Sequence, residues 1–278
     1  MEKTALNYAK NAQELCVLPD VYLKLKEMLM DEKSNLTDIA NIISLEPALA
    51  SSLLRIANSS LFNFPREIDS IAKAINILGR DEVNNLIDTY GVTAAFSGIA
   101  PDILDINKFW EISVDCSLLT KYLAKKKNIT PSNGLFLSAL LHNIGVLAMV
   151  HSERKKVQYC ENYDKEETPW QRQKAVFGFT FADCSVELLT LWQLPESIIN
   201  PIREFNHAFA GELQPATTLL YITSRLAVIN SHPGLSKIKE LDNISKDDLS
   251  ITMDDINEAL NHCNAEGMSI MAALNVTG

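Results

Sequence analysis

The stretch from Leu135 to His151, LFLSALLHNIGVLAMVH, limits most narrowly what this chain can fold into. It is the most apolar run in the sequence, yet it carries a polar pair, His142-Asn143, at its centre. Leu135, Ala139 and His142 fall on one helical face, with Leu137 and Leu141 on the next. A helix apolar nearly all round lies in a protein core. The run is shorter than the ~20 apolar residues of a membrane span, and His142, Asn143 and Gly145 interrupt it. Burying a polar pair unpaired costs roughly 1–3 kcal/mol, so this pair requires hydrogen-bond partners or a ligand.

The rest of the chain has the same helical periodicity. Val21, Leu25, Met28 and Leu29 mark one helix, and Leu36, Ile39, Ala40 and Ile43 a second with Asn35 or Thr37 as cap. Pro47 starts a third that ends at Asn58-Ser59-Ser60, where asparagine is expected to take the left-handed conformation. Ser70 opens another that Gly79 closes, and Asp81 is placed to cap the next. Asn107 is the expected cap of a long helix with Trp110, Val114, Leu118 and Tyr122 at steps of four. A polar helix is expected from Glu153 to Glu166. Thr168-Pro169-Trp170-Gln171 and Thr180 to Asp183 read as capping boxes. Pro195 and Pro215 start two more helices, residues 232–250 read as loop, Thr252 to Asp255 repeats the cap pattern before a helix with Ile256 and Leu260, and a short last helix holds Met268 to Leu274. No period-2 run is long enough for a strand. The expectation is an all-α fold divided into residues 1–100, 101–230 and a C-terminal helical extension, 231–278.

A net charge of −10 opposes nonspecific nucleic-acid binding, which needs clustered cations on phosphates. The basic clusters Lys125–Lys127 and Arg154–Lys156 read as solvated helix ends. The N-terminus, MEKTALNYAK, has no apolar signal-peptide core. The five cysteines, Cys16, Cys116, Cys160, Cys184 and Cys263, form no CxxC pair, which fits a reducing compartment. A cytoplasmic protein without membrane or nucleic-acid partners is expected. No Walker lysine, phosphate-cradling glycine loop or GxSxG elbow is present. Trp110, Trp170 and Trp192 read as core anchors, and His151, His232 and His262 as surface residues.

A buried histidine followed by an acid, with further His and Asp on neighbouring helices, is one way to hold a divalent metal in a helical bundle. Here Asn143, a neutral amide, follows His142. The sequence around it resembles the HDOD domain, the HD-related output domain of bacterial signalling proteins. The matching residues are Leu18-Pro19, Glu46-Pro47-Ala48-Leu49, Leu53–Ser59, Ile71–Ile75 and Ile77-Leu78-Gly79. They continue with Phe109–Ser113, Leu140–Gly145 and Leu191–Pro195. The resemblance covers roughly residues 15–230, and it implies a two-lobed helical fold related to HD-type metal-dependent phosphohydrolases.

Carried over position by position, the resemblance implies a dismantled site. Ile112 stands where catalytic relatives have a His, and His142-Asn143 replaces His-Asp. A further His position falls on Phe181, the late His pair is reduced to Asn206-His207, and the final Asp falls at Thr223 or Ser224. Val146 replaces the lysine found in cyclic-dinucleotide phosphodiesterases. Ile112, His142, Asn143, Phe181, Asn206, His207 and Ser224 are therefore the candidate site or ligand-pocket positions. No cofactor and no catalysis are expected. The resemblance implies partners among signalling proteins: a response regulator, a kinase or a cyclic-dinucleotide enzyme. Two alternatives stand beside this expectation. One is a divergent hydrolase using His142, His207, Asp115 and Asp183; the other is a small-ligand sensor using Asn143, Asn206 and Ser224.

Overall fold

The computed structural model describes the chain apart from residues 1–2, 16–17, 32, 60–61, 63, 66, 97–103, 130–131, 164–166, 206–213, 233–248 and 275–278. Every described regular element is a helix, so the fold is all-α. The helices group into two compact units. One contains residues 1–15 and 99–265, the other 16–98 and 266–278.

The second unit is built from α2 (Asp20–Met30), α3 (Leu36–Leu45), α4 (Pro47–Ala57), α5 (Ile71–Leu78) and α6 (Arg80–Ala95). Its apolar centre is made by Leu25, Ile39, Ile43, Leu49, Leu53, Ile75, Val83 and Ile87, all buried. Asn35 caps α3, its Oδ1 accepting from the Thr37 N–H at 2.9 Å. Ser70 caps α5 by accepting from Lys73 N–H. Asn58 is the C-cap of α4, as expected, but in the right-handed rather than the left-handed conformation, with a φ of −88°. Its amide donates to the carbonyls of Leu54 and Ile68 and accepts from the Ile68 N–H, tying the chain after α4 back onto the helix end. The helix α6 starts at Arg80 after Gly79, one residue before the expected cap Asp81.

Arg80 and Asp88 fix α6 against α2. The Arg80 guanidinium donates to the carbonyls of Met28, Leu29, Asp31 and Ser34 at 2.7–3.2 Å. These include the orphan acceptors that every helix leaves at its C-terminus. Asp88 is fully buried and receives Lys26 Nζ at 2.9 Å and the Tyr22 hydroxyl at 3.0 Å. The Tyr22 ring lies so near Gly91 that a Cβ there would come within 2.3 Å of it.

The first unit contains α1 (Ala5–Leu15), α7 (Ile106–Lys126), α8 (Ser132–Leu141), α9 (Gly145–Val150), α10 (Arg154–Glu161), α11 (Pro169–Phe177), α12 (Phe181–Leu191), α13 (Glu196–Glu204) and α14 (Pro215–Ser231). The helix α7 packs against both α8 and α14, while α12 is flanked by α1, α9 and α13. Asp105, not Asn107, caps α7, its carboxylate accepting the Lys108 N–H at 3.0 Å. Both predicted capping boxes form, at Thr168–Gln171 and Thr180–Asp183.

The grouping differs from the three-part division at both ends of the chain. The helix α1 joins the first unit because Tyr8, Ala9 and Ala12 are buried and Tyr8 donates its hydroxyl to Glu153. The helix expected after the Thr252–Asp255 cap and the expected short last helix are one 21-residue helix, α15 (Met253–Ala273), and the cap bonds between Thr252 and Asp255 form. Its residues to Ala265 belong to the first unit and those from Glu266 to the second. Residues 233–248, most of the expected loop, lie outside the described residues.

Candidate functional site

The apolar run at residue 135 is not one unbroken helix. It forms α8 and α9, and His142, Asn143 and Ile144 make the turn between them. The turn is tightened by bonds from Ile144 N–H to Leu141 O and from Val146 N–H to Asn143 O. His142 is buried, and its Nδ1 lies 2.6 Å from the Ala139 carbonyl. A carbonyl only accepts, so Nδ1 carries the proton. Burial pushes the imidazole down to about 4, with the Ala139 carbonyl opposing and the Arg225 guanidinium adding to the shift. At pH 7 the ring is neutral. Phe205 meets it edge-on, 5.9 Å between ring centroids.

Gly145 lets α9 approach α12. Its N–H donates to Ser185 Oγ at 2.8 Å, and Ser185 Oγ donates to the Phe181 carbonyl at 3.1 Å. A Cβ at residue 145 would fall 2.1 Å from Phe181 O and 2.7 Å from Cys184 Cβ. Phe181, the first residue of α12, is fully buried, and its N–H donates to Gln173 Oε1 at 2.9 Å.

The Thr223 and Ser224 hydroxyls of α14 bond to carbonyls of their own helix. Thr223 Oγ1 donates to Leu219 O at 2.9 Å and lies 2.6 Å from Thr120 Oγ1 of α7. Ser224 Oγ donates to Tyr221 O at 2.9 Å and accepts from Arg225 Nη1 at 2.9 Å. Ile112 and Asn143 are half-buried. Asn206 and His207 lie outside the described residues. Contacts thus join His142 to Ser224 by way of Phe205 and Arg225, while Phe181 meets the turn through Gly145.

The two acids of the alternative hydrolase site have structural partners. Asp183 closes the α12 capping box, accepting from the Thr180 N–H and hydroxyl at 2.7 and 2.9 Å. Asp115 is buried and accepts from Cys263 Sγ at 3.0 Å and Asn230 Nδ2 at 2.8 Å. Burial raises its pKa, and those two hydrogen bonds oppose the rise.

A divalent ion needs neutral imidazoles and carboxylates converging from several elements. The described positions offer one such group, His142, among isoleucine, phenylalanine, an amide and hydroxyls bonded to backbone. The four described cysteines do not offer thiolates either. Burial pushes Cys116, Cys160 and Cys184 up to about 12, and raises Cys263 too. A permanent guanidinium charge beside His142 opposes a second cation. This donor set does not fit a divalent metal. Among the described residues, no group of three or more His, Cys, Asp or Glu is placed to hold one.

Two features of the site were not visible in the sequence. Trp170 is half-buried rather than a core anchor, and it faces Arg225, a buried arginine that no motif marks. His232 and His262 are half-buried, each against a tyrosine, Tyr163 and Tyr122. A cavity of about 730 Å³ lies near Lys127, Asn200, Glu204, Gln214 and Thr217; among the described residues, no predicted site position lines it.

The described elements define an all-α protein. The family profile of the HDOD domain matches residues 15–208, and the chain belongs to the HDOD family. It is similar to an uncharacterized protein of Treponema pallidum (strain Nichols), with 23% identity over 208 residues, 74% of this chain and 40% of the relative. The chain thus spans about two-fifths of that relative's length. It is also similar to the crystal structure of a candidate phosphohydrolase from Shewanella amazonensis SB2B, with a TM-score of 0.72, 21% identity and 98% of each chain covered. A candidate signal transduction protein from Marinobacter aquaeolei VT8 matches with a TM-score of 0.65 and 20% identity, over 95% of this chain and 60% of that one. At such identities the likeness establishes the fold. No single helix among the described residues is long and apolar enough to cross a membrane.

Proposed function

We propose that this chain is a non-catalytic regulatory module of bacterial signal transduction that works through protein–protein contacts. One observation carries the reading: a family framework is kept while the positions that would bind metal hold Ile112, Asn143, Phe181 and backbone-bonded Thr223 and Ser224. An apolar side chain cannot ligate an ion, and burial leaves His142 as the lone neutral imidazole among the described positions. The family assignment, and the likeness to a candidate signal transduction protein, support a place in signalling. A response regulator, a kinase or a cyclic-dinucleotide enzyme in the cytoplasm is the class of partner that fits.

The test is a hydrolysis panel of cyclic dinucleotides, nucleotides and phosphomonoesters with Mn²⁺ or Fe²⁺. Turnover indistinguishable from that of His142→Ala is expected. A robust activity that His142→Ala abolishes, with its circular dichroism unchanged, contradicts the proposal.

A further inference from the structure

Arg225 follows directly on the positions where the resemblance puts the last metal-binding Asp, Thr223 or Ser224. It is buried, and three aromatic rings surround its guanidinium. The guanidinium carbon lies 3.7 Å from the centroid of Tyr221, 4.2 Å from Trp170 and 5.6 Å from Phe205. Nη1 donates to Ser224 Oγ at 2.9 Å and to Tyr221 O at 3.4 Å. Phe205 touches this group on one side and His142 on the other. The charge reaches the His142 imidazole and the Cys116 thiol.

A guanidinium keeps its proton in proteins, so the core holds a permanent positive charge here. Removing a charge from water is costly unless something compensates it. The π faces of the three rings contribute to that compensation, and a weakly hydrated, planar guanidinium suits them better than an ammonium. The rings come from different parts of the first unit: Trp170 from α11, Phe205 from the end of α13, and Tyr221 from α14.

We propose that Arg225 is the fixed cation of this site, its caged guanidinium taking the electrostatic place of a divalent ion and holding α11, α13 and α14 around it. This rests on the non-catalytic reading above. Arg225 is a positioning residue whose charge, not only its bulk, is what the cage is built for.

Melting temperatures of the full chain with Arg225→Lys and Arg225→Met, each with and without millimolar Mn²⁺, test it. Both variants should melt below wild type, with Arg225→Lys at least about 2 °C above Arg225→Met because it keeps the charge. If the cage needed only apolar filling, methionine would serve as well or better, since buried charges are often replaced by apolar groups without loss. Arg225→Met melting at or above Arg225→Lys overturns the inference. Should neither variant fold, the half-buried Trp170 gives the same comparison. Trp170→Phe, which keeps a π face, should melt above Trp170→Leu, and equal melting overturns the inference. A rise in the wild-type melting temperature with Mn²⁺ overturns the metal-free reading itself. The order of the substitutions overturns the role of Arg225 alone.

Discussion

His142 makes the stability of this protein depend on pH in a definite direction. Its imidazole is held at about 4 in the folded chain, against about 6.5 unfolded, so the unfolded state binds the proton more readily. The contribution is complete above pH ~6.5 and is lost as the pH falls towards 4, by about 3 kcal/mol in all. Urea unfolding at pH 7 and pH 4.5 should show a smaller loss in His142→Leu than in wild type; equal losses would exclude His142 as the source. Gly145→Ala should cost about 3 kcal/mol in the same measurement, because Phe181 O and Cys184 Cβ occupy the space its methyl needs. Wild-type stability in that variant would mean that α9 and α12 separate freely. That both positions lie inside an apolar, core-forming run was legible in the sequence. Arg225 was not legible, because its role depends on rings 55 and 20 residues away that only the tertiary fold brings to it.

The caps explain why most element boundaries could be read directly. Side chains at Asn35, Ser70, Thr168 and Thr180 meet amides two or three residues on, so local sequence determines them. Where distant partners take part, less was legible: Asn58 is the C-cap of α4 as read, but its amide is held by Ile68, and the last helix, expected over Met268 to Leu274, is the end of the longer α15. Arg80 is such a long-range device, fastening the end of α2 from the start of α6. Arg80→Lys should lose about 2 kcal/mol or more, since an ammonium cannot replace a planar fork that serves four carbonyls. Chemical denaturation measures it, and an unchanged midpoint would show the fork to be dispensable. Lys26→Met should cost about 3–5 kcal/mol by leaving the Asp88 carboxylate buried without its cation. Denaturation of that variant near wild-type urea concentrations would refute this.

At the scale of the molecule, helical periodicity and sparse strand signals were enough to give an all-α fold, and ordered motifs from Leu18 to Pro195 gave the family. The division into units was harder to read, because α1 and α15 are assigned by packing rather than by any break in composition. We propose that the positions where the resemblance puts metal ligands bind no metal. Metal content per chain tests it most directly, by elemental analysis of untagged protein grown with added iron, manganese and zinc. Metal far below one ion per chain is expected, with no difference between wild type and His142→Ala. Near-stoichiometric metal in wild type, lost in His142→Ala, would contradict it.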